Sequence, residues 1–277
     1  MSLAQALRAG TIVCHDGAAP GVTADDLLAV EEPLELRVAG RGVAVLMRTP
    51  GHDRELAAGF LVTEGLVRGR DDVLDLVRCV TPADSESADT GTNENAIEVL
   101  LAPGVTVDLD RLTRHVFTSS SCGICSKATI EAVRGAFPPL AAKLAPGRTV
   151  LASLPGKLGA AQAAFAATGG LHASALFDAV GRLELVREDV GRHNALDKVI
   201  GQAFFAGQLP LGGRILLVSG RVSFEIMQKA LAAGIPCVAA ISAPTSAAVD
   251  FAQESGQTLV GFLRAKRMNV YAGTVTE

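Results

Sequence analysis

The chain has 277 residues, 49% hydrophobic and 19% charged, so it can fill a real core and is not a disordered tail. Its net charge of -4 is scattered, with no long basic run or aromatic stripe, which argues against a nucleic-acid binder. No stretch approaches the ~20 apolar residues of a membrane span, no signal-peptide pattern opens the chain, and five cysteines, an odd number, do not form a secreted disulfide framework, so a cytoplasmic protein is expected.

Residues 30–42 partly alternate apolar and polar side chains, and VAVLMR follows over 43–48, which predicts a hairpin. After a turn at Thr49-Pro50-Gly51, residues 53–65 read as a helix with Asp53 as N-cap and Gly65 as stop. Residues 81–95 are rich in Ser, Thr, Asp and Asn and read as a surface loop. Residues 96–101 and 105–109 read as returns to a sheet, and helical spacing runs from 128 to 136. Pro138, Pro139, Pro146 and Pro155 punctuate the next stretch, where the main domain boundary is expected.

The last third is the most regular. Residues 171–177 and 183–186 are expected to pair as strands, followed by a helix over 192–205 and a strand over 215–218. A helix over 224–233, a strand over 238–241, a helix over 247–254 and a strand over 259–263 complete the pattern. Short apolar strands alternating with helices imply an α/β fold with a mixed, mostly parallel sheet covered by helices. The expected organisation is an N-terminal α+β domain over 1–140, ending in a CxxC loop and helix, and an α/β domain over 141–277.

Cys122-Gly123-Ile124-Cys125 is the strongest chemical feature. Serines precede it, and Ser126-Lys127 lead into a predicted helix whose free N–H groups, with Lys127, favour thiolate over thiol. Cys14, Cys79 and Cys237 are isolated, so no zinc set is complete and no metal site is expected. A thioredoxin-like motif belongs in a βαβ unit near the N-terminus, and a structural pair belongs among apolar neighbours. Neither fits well, yet the motif alone does not decide between sulfur or catalytic chemistry and the alternatives.

His172, within GLHAS, reads as a histidine hydrogen-bonded within the fold. His193, within DVGRHNALD, lies near Arg192, Asn194 and Asp189, a polar group that could line a cleft. Ser219-Gly220-Arg221-Val222-Ser223 and Ser242-Ala243-Pro244-Thr245-Ser246 follow predicted strands, where α/β folds bind ligands and helix N-termini receive phosphate. Neither carries a GxxxxGK[ST] or GxGxxG fingerprint. Arg264, Lys266 and Arg267 put three cations at the end of the last predicted strand; solvated charge is the ordinary reading there, and arginines can also fork onto a pyrophosphate.

Six blocks, RTPGHDRELAAGFLVTEGL, SSSCGICSK, REDVGRHNALDKVIG, SGRVSFEIMQKALAAGIP, SAPTSAAVDFAQESG and GFLRAKRMNVY, together resemble the FdhD family of formate dehydrogenase accessory sulfurtransferases. The resemblance implies a sulfur carrier that takes persulfide sulfur from a cysteine desulfurase. It would pass that sulfur to molybdenum bis-molybdopterin guanine dinucleotide before this cofactor enters formate dehydrogenase. It maps the acting cysteines onto Cys122, the persulfide bearer, and Cys125, an accessory thiol. The cofactor-binding stretch maps onto Phe262, Leu263, Arg264, Ala265, Lys266 and Arg267. It also implies a homodimer and a C-terminal domain similar in fold to cytidine deaminases. Deamination itself is not expected, because Ser174 stands where H-x-E needs its Glu and the CxxC precedes His172. Two other readings stand beside it: a nucleotide-cofactor chaperone without sulfur chemistry, and a dithiol oxidoreductase cycling a Cys122–Cys125 disulfide.

Overall fold

The computed structural model describes residues 3–17, 19–79, 95–108, 137–141 and 143–277. A one-turn helix α1 (Leu3–Ala6) leads into an antiparallel hairpin, β1 (Leu7–Cys14) with β2 (Val22–Ala29). A four-stranded sheet follows, in the order β4 (Arg41–Arg48), β3 (Glu32–Val38), β6 (Ala96–Leu101), β5 (Val73–Arg78), with helix α2 (Asp53–Thr63) between β4 and β5 in sequence. The β3–β4 hairpin and β6 are where the apolar pattern predicts them. Residues 105–108 form no strand, and the expected helix at 128–136 and all of the expected loop at 81–95 except Asn95, which lies in a turn, fall outside the described residues.

The C-terminal part begins with α3 (Arg148–Ala161) and α4 (Ala163–Thr168). Pro155, expected to mark a break, sits inside α3. Then come β7 (His172–Phe177), β8 (Leu183–Asp189), α5 (Arg192–Phe205), β9 (Ile215–Val218), α6 (Phe224–Ala232), β10 (Cys237–Ala240), α7 (Ser246–Ser255), β11 (Thr258–Arg264) and β12 (Arg267–Ala272). Six of these strands form one sheet in the order β12-β11-β10-β9-β7-β8. The α/β class and mixed sheet expected from the sequence are present. Within this sheet parallel pairing is confined to β9–β10 and β10–β11, and β7, β8 and β12 join antiparallel.

Alternation along the central strands sorts side chains to two faces. Leu216, Val218, Val238, Ala240 and Leu259 join α5, α6 and α7 in the larger core, which also takes in Leu34, Leu36, Ile97 and Val99 of the four-stranded sheet. Ala173, Ala175, Ile215, Leu217 and Ala239 face the other way and pack against Leu151, Leu154 and Leu158 of α3. Helices α2 and α5 therefore lie inside the larger core, and both are buried nearly all round.

At their contact, two glycines remove the side chains that would hold the helices apart. A Cβ on Gly59 would stand 1.9 Å from the Asp197 carbonyl oxygen, and one on Gly201 would stand 1.8 Å from that of Glu55. The N-cap of α2 is His52, held in the left-handed region at φ 59°, rather than Asp53. Asp53 is instead held by Arg48 Nε, which donates to its Oδ1 at 3.0 Å, and by Arg78, which reaches Oδ2 at 2.7 Å. Gly65 does stop the helix, with φ at 72° and its N–H donating to the Val62 carbonyl at 3.0 Å.

The glycine contact makes the first prediction. Gly201→Ala forces backbone apart and should cost about 3 kcal/mol or more, at the upper end of overpacking penalties. Gly156→Ala in α3, where an added Cβ meets nothing within 4 Å, should be neutral or stabilise by about 0.5–1 kcal/mol. Urea unfolding midpoints of the two variants check both.

Candidate functional site

The carboxyl ends of β9, β10 and β11 share an edge with the start of β7, because β7 runs antiparallel to β9 with Ser174 opposite Val218. The loops that follow these strands are tied to one another. Val222 N–H donates to the Ala243 carbonyl at 3.1 Å, Thr245 N–H to that of Val222 at 2.9 Å, and Phe262 N–H to that of Ser242 at 3.0 Å. Their hydroxyls already have local tasks. Ser223 Oγ caps α6 by accepting from Ile226 N–H at 3.5 Å, and Thr245 Oγ1 caps α7 by accepting from Ala248 N–H at 3.3 Å. Ser219 Oγ accepts from Ala173 N–H at 2.9 Å, fastening the β9 loop to β7.

Beside this edge lies a cleft of about 590 Å³. Leu158 and Phe165 of α3 and α4 give it apolar walls, while Gln162, His172, Ser219 and Arg264 add polar groups. Mostly apolar walls with a few placed polar groups are the usual character of a small-molecule site. This combination suits a flat ring with an anionic group near Arg264. Arg264 is steadied by its own guanidinium, which donates to the Leu263 carbonyl at 2.9 Å and also to that of Ile241.

His172 is therefore a cleft residue rather than simply a satisfied histidine of the fold. Burial and the neighbouring Arg192 guanidinium hold its pKa below the ordinary value near 6.5, with Asp189 acting weakly the other way. Gly220 allows the ring this place, since a Cβ there would come within 3.2 Å of His172 Nδ1. His193, expected beside a cleft, is buried against the N-terminal turn of α6. Its Nε2 lies 3.4 Å from Ser223 Oγ and 3.5 Å from Glu225 Oε2.

The stretch 262–267 does end a strand, but not the last one: it runs from the final residues of β11 through a turn at Ala265-Lys266 to Arg267, which opens β12 and pairs in register with Arg264. Leu263 is fully buried in the core under α3. Phe262, Arg264, Ala265, Lys266 and Arg267 are exposed, and Phe262, Arg264 and Arg267 line a second recess of about 280 Å³. Phe262 takes a left-handed φ of 49° at the irregularity between Gly261 and Arg264. Arg264 borders both spaces, so the cationic turn adjoins the cleft. The sequence reading missed the wall from α3 and α4. Leu151, Leu154 and Leu158 at spacings of three and four carried that signal.

The block REDVGRHNALDK has a different use from the one its chemistry suggests. Arg187 forks onto Glu55, with Nε and Nη2 donating at 2.6 and 2.9 Å. Glu188 accepts from the Ala164 and Phe165 N–H groups at the start of α4, at 3.1 and 2.8 Å. Asp189 accepts from Thr49 N–H at 3.1 Å and pairs with Lys198 Nζ at 2.6 Å. Asn194 donates to the Met47 carbonyl at 2.8 Å. Asp197 takes Lys229 Nζ at 2.8 Å and Thr63 Oγ1 at 3.0 Å. Burial works against charge on Lys229, yet Asp197, Glu64 and Glu225 outweigh it and raise its pKa.

Cys122 and Cys125 lie outside the described residues. Of the other thiols, Cys237 is buried on β10 and burial pushes its pKa up to about 12, which leaves it almost no thiolate. Cys14 is exposed on β1 and Cys79 is half-buried.

Residues 29–276 match the family model described as the FdhD/NarQ family. The chain belongs to that family. Relatives of this FdhD/NarQ member are named "Sulfur carrier protein FdhD". The protein of Streptomyces avermitilis is 51% identical over 96% of this chain and 93% of that one. The protein of Mycobacterium tuberculosis is 51% identical over 94% of each. A crystal structure from Desulfotalea psychrophila, described as that of a formate dehydrogenase accessory protein, matches with a TM-score of 0.72. It covers 96% of this chain and 97% of that one at 22% identity, a likeness of fold. Among the described residues, no helix of this FdhD/NarQ member is long and apolar enough to cross a membrane.

The second prediction concerns His172. In an NMR titration its imidazole should titrate below the ordinary histidine midpoint. Removing the Arg192 charge (Arg192→Gln) should move that midpoint upward, because one positive neighbour no longer opposes protonation. An unchanged midpoint would mean the guanidinium does not act on the ring.

Proposed function

We propose that this chain is a sulfur carrier that supplies a molybdenum-bearing pterin guanine dinucleotide destined for formate dehydrogenase. The observation that carries the reading is half identity over nearly the whole chain to proteins named sulfur carrier protein, together with the SSSCGICSK motif in this sequence. In this reading the Cys122 thiolate attacks the terminal sulfur of a cysteine desulfurase persulfide. A new S–S bond forms on Cys122, the desulfurase cysteine leaves as thiolate, and Cys122 then holds the persulfide. Cys125 serves as an accessory thiol. Persulfide sulfur is passed on, so the carrier chemistry is a sulfurtransferase reaction in the cytoplasm, carried out by a homodimer.

The cofactor is the substrate here, and its guanine nucleotide portion needs a planar pocket with cations beside it. The cleft beside His172, with Arg264 on its rim and Lys266 and Arg267 on the adjoining turn, offers that combination. The neutral imidazole favoured by burial can give or accept a hydrogen bond to a base edge. The cleft also supports the second reading, a chaperone that holds the nucleotide and does no sulfur chemistry.

The test is peptide mass spectrometry after incubation with a cysteine desulfurase and cysteine. One added sulfur is expected on the Cys122 peptide, lost on reduction and absent in Cys122→Ala. Guanine nucleotide binding should persist in Cys122→Ala and weaken at least tenfold in Arg264→Ala/Arg267→Ala. No added sulfur on any cysteine, with nucleotide binding intact, would replace the carrier reading with the chaperone.

A further inference from the structure

The hairpin β1–β2 stands apart from both cores. Among the described residues only its base is anchored, where Leu7 and Ala29 pack with Ala6, Ala164 and Leu171. Above that base, eight residue pairs run in register from Leu7↔Ala29 to Cys14↔Val22, and neither face is buried. Val13, Val22, Leu27 and Leu28 are exposed. A two-stranded ribbon of this kind is marginal in water on its own, and among the described residues the outer edge of each strand pairs with no further strand.

The two edges differ. On β2 the centre carries Asp25 and Asp26, which guard it against another strand. On β1 the run Ala9-Gly10-Thr11-Ile12-Val13-Cys14 has no charge and contains three β-branched residues. That run is also complementary to itself. Set antiparallel about a two-fold axis at Thr11, it places Ile12 opposite Gly10, Val13 opposite Ala9 and Thr11 opposite Thr11. Each large side chain then meets a small one, the threonines can bond across the axis, and Arg8 meets Cys14 rather than another Arg8. An isologous contact of this form closes after two copies.

We infer that the β1 edge is an interface to a second copy of this chain, joining two hairpins into one four-stranded antiparallel sheet. The inference gives a contact to the homodimer in the reading above and rests on that dimer. It also bears on the cleft, because Gly170, which lines the cleft, packs against β2, where an added Cβ would lie 3.2 Å from Ala29 Cβ.

Sedimentation velocity on three full-length proteins tests it. The unmodified chain should run at twice its 28.5 kDa mass. Ala9→Lys/Val13→Lys sets lysine opposite lysine twice across the axis and should raise the dimer dissociation constant at least tenfold. Ala9→Lys/Val13→Glu sets lysine opposite glutamate at the same places and should restore the dimer. All these positions are exposed, so the fold is not at stake, and far-UV circular dichroism verifies that. As a second measurement, Thr11→Cys should form an intermolecular disulfide on mild oxidation, while Asp25→Cys on the guarded edge should not. A monomeric unmodified chain would overturn both the dimer and this interface. A dimer that tolerates the paired lysines, or crosslinks equally from Asp25→Cys, would overturn the interface and leave the dimer standing.

Discussion

Lys198 is fully buried on α5, so the hydrogens of its ammonium group have to find acceptors inside the protein. Asp189 Oδ2 lies 2.6 Å away, the Thr49 carbonyl 2.8 Å and the Glu188 carbonyl 3.4 Å. Those acceptors come from β8 and from the turn after β4, segments more than a hundred residues apart in the chain. Asp189 in turn receives the Thr49 N–H, and Val190 N–H donates to Thr49 Oγ1 at 3.2 Å. A buried ion pair of this kind gives little net stability over a well-packed apolar substitute. Its effect is on register, since sliding either segment by one residue would strand a charge.

That junction decides where the helices go. With residues 47–49 fixed on β8 and α5, α2 starts at His52 directly against α5, and the Gly59 and Gly201 contacts let the two backbones touch. The polar side chains that a helix buried on all sides cannot turn to water are then answered across the contact. Arg187 meets Glu55, and Asp197 meets Thr63 and Lys229. The same register reaches the cleft through β8, because Asp189 is paired with His172 on β7. Glu188, next to Asp189, holds the start of α4 and so sets the wall that carries Phe165.

The sequence made the βα units of the C-terminal third legible because their strands are buried on both faces and read as unbroken apolar runs. What it hid has physical reasons. The β1–β2 hairpin is exposed on both faces, so it has no alternation to read. Helix α3 holds Pro155, and the punctuation masked the leucine stripe around it. Strand β12 follows a turn of cations that looks like a frayed chain end. His193 and the charges around it read in the sequence as a polar group that could line a cleft, yet in three dimensions they are fasteners between distant segments. Only His172 moved in the opposite direction, from apparent structural use to the lining of the cleft.

The blocks through which this chain resembles its family therefore divide by task. RTPGHDRE and REDVGRHNALDK interlock with each other, residue against residue, and would be needed by any chain that folds this way. GLHAS, the loop after β9 and the hairpin at 262–267 converge on the cleft, which they line with His172, Ser219 and Arg264. A thiol that carries sulfur must be both ionised and reachable, and Cys237 fails on both counts because burial holds it neutral in the sheet. Cys14 and Cys79 lack the company of Ser, Gly and Lys that surrounds Cys122 and favours the thiolate. The division assigns the interlocked blocks to holding the cleft in shape, and in the proposed reading the sulfur falls to Cys122 and Cys125, whose sequence neighbourhood favours a thiolate.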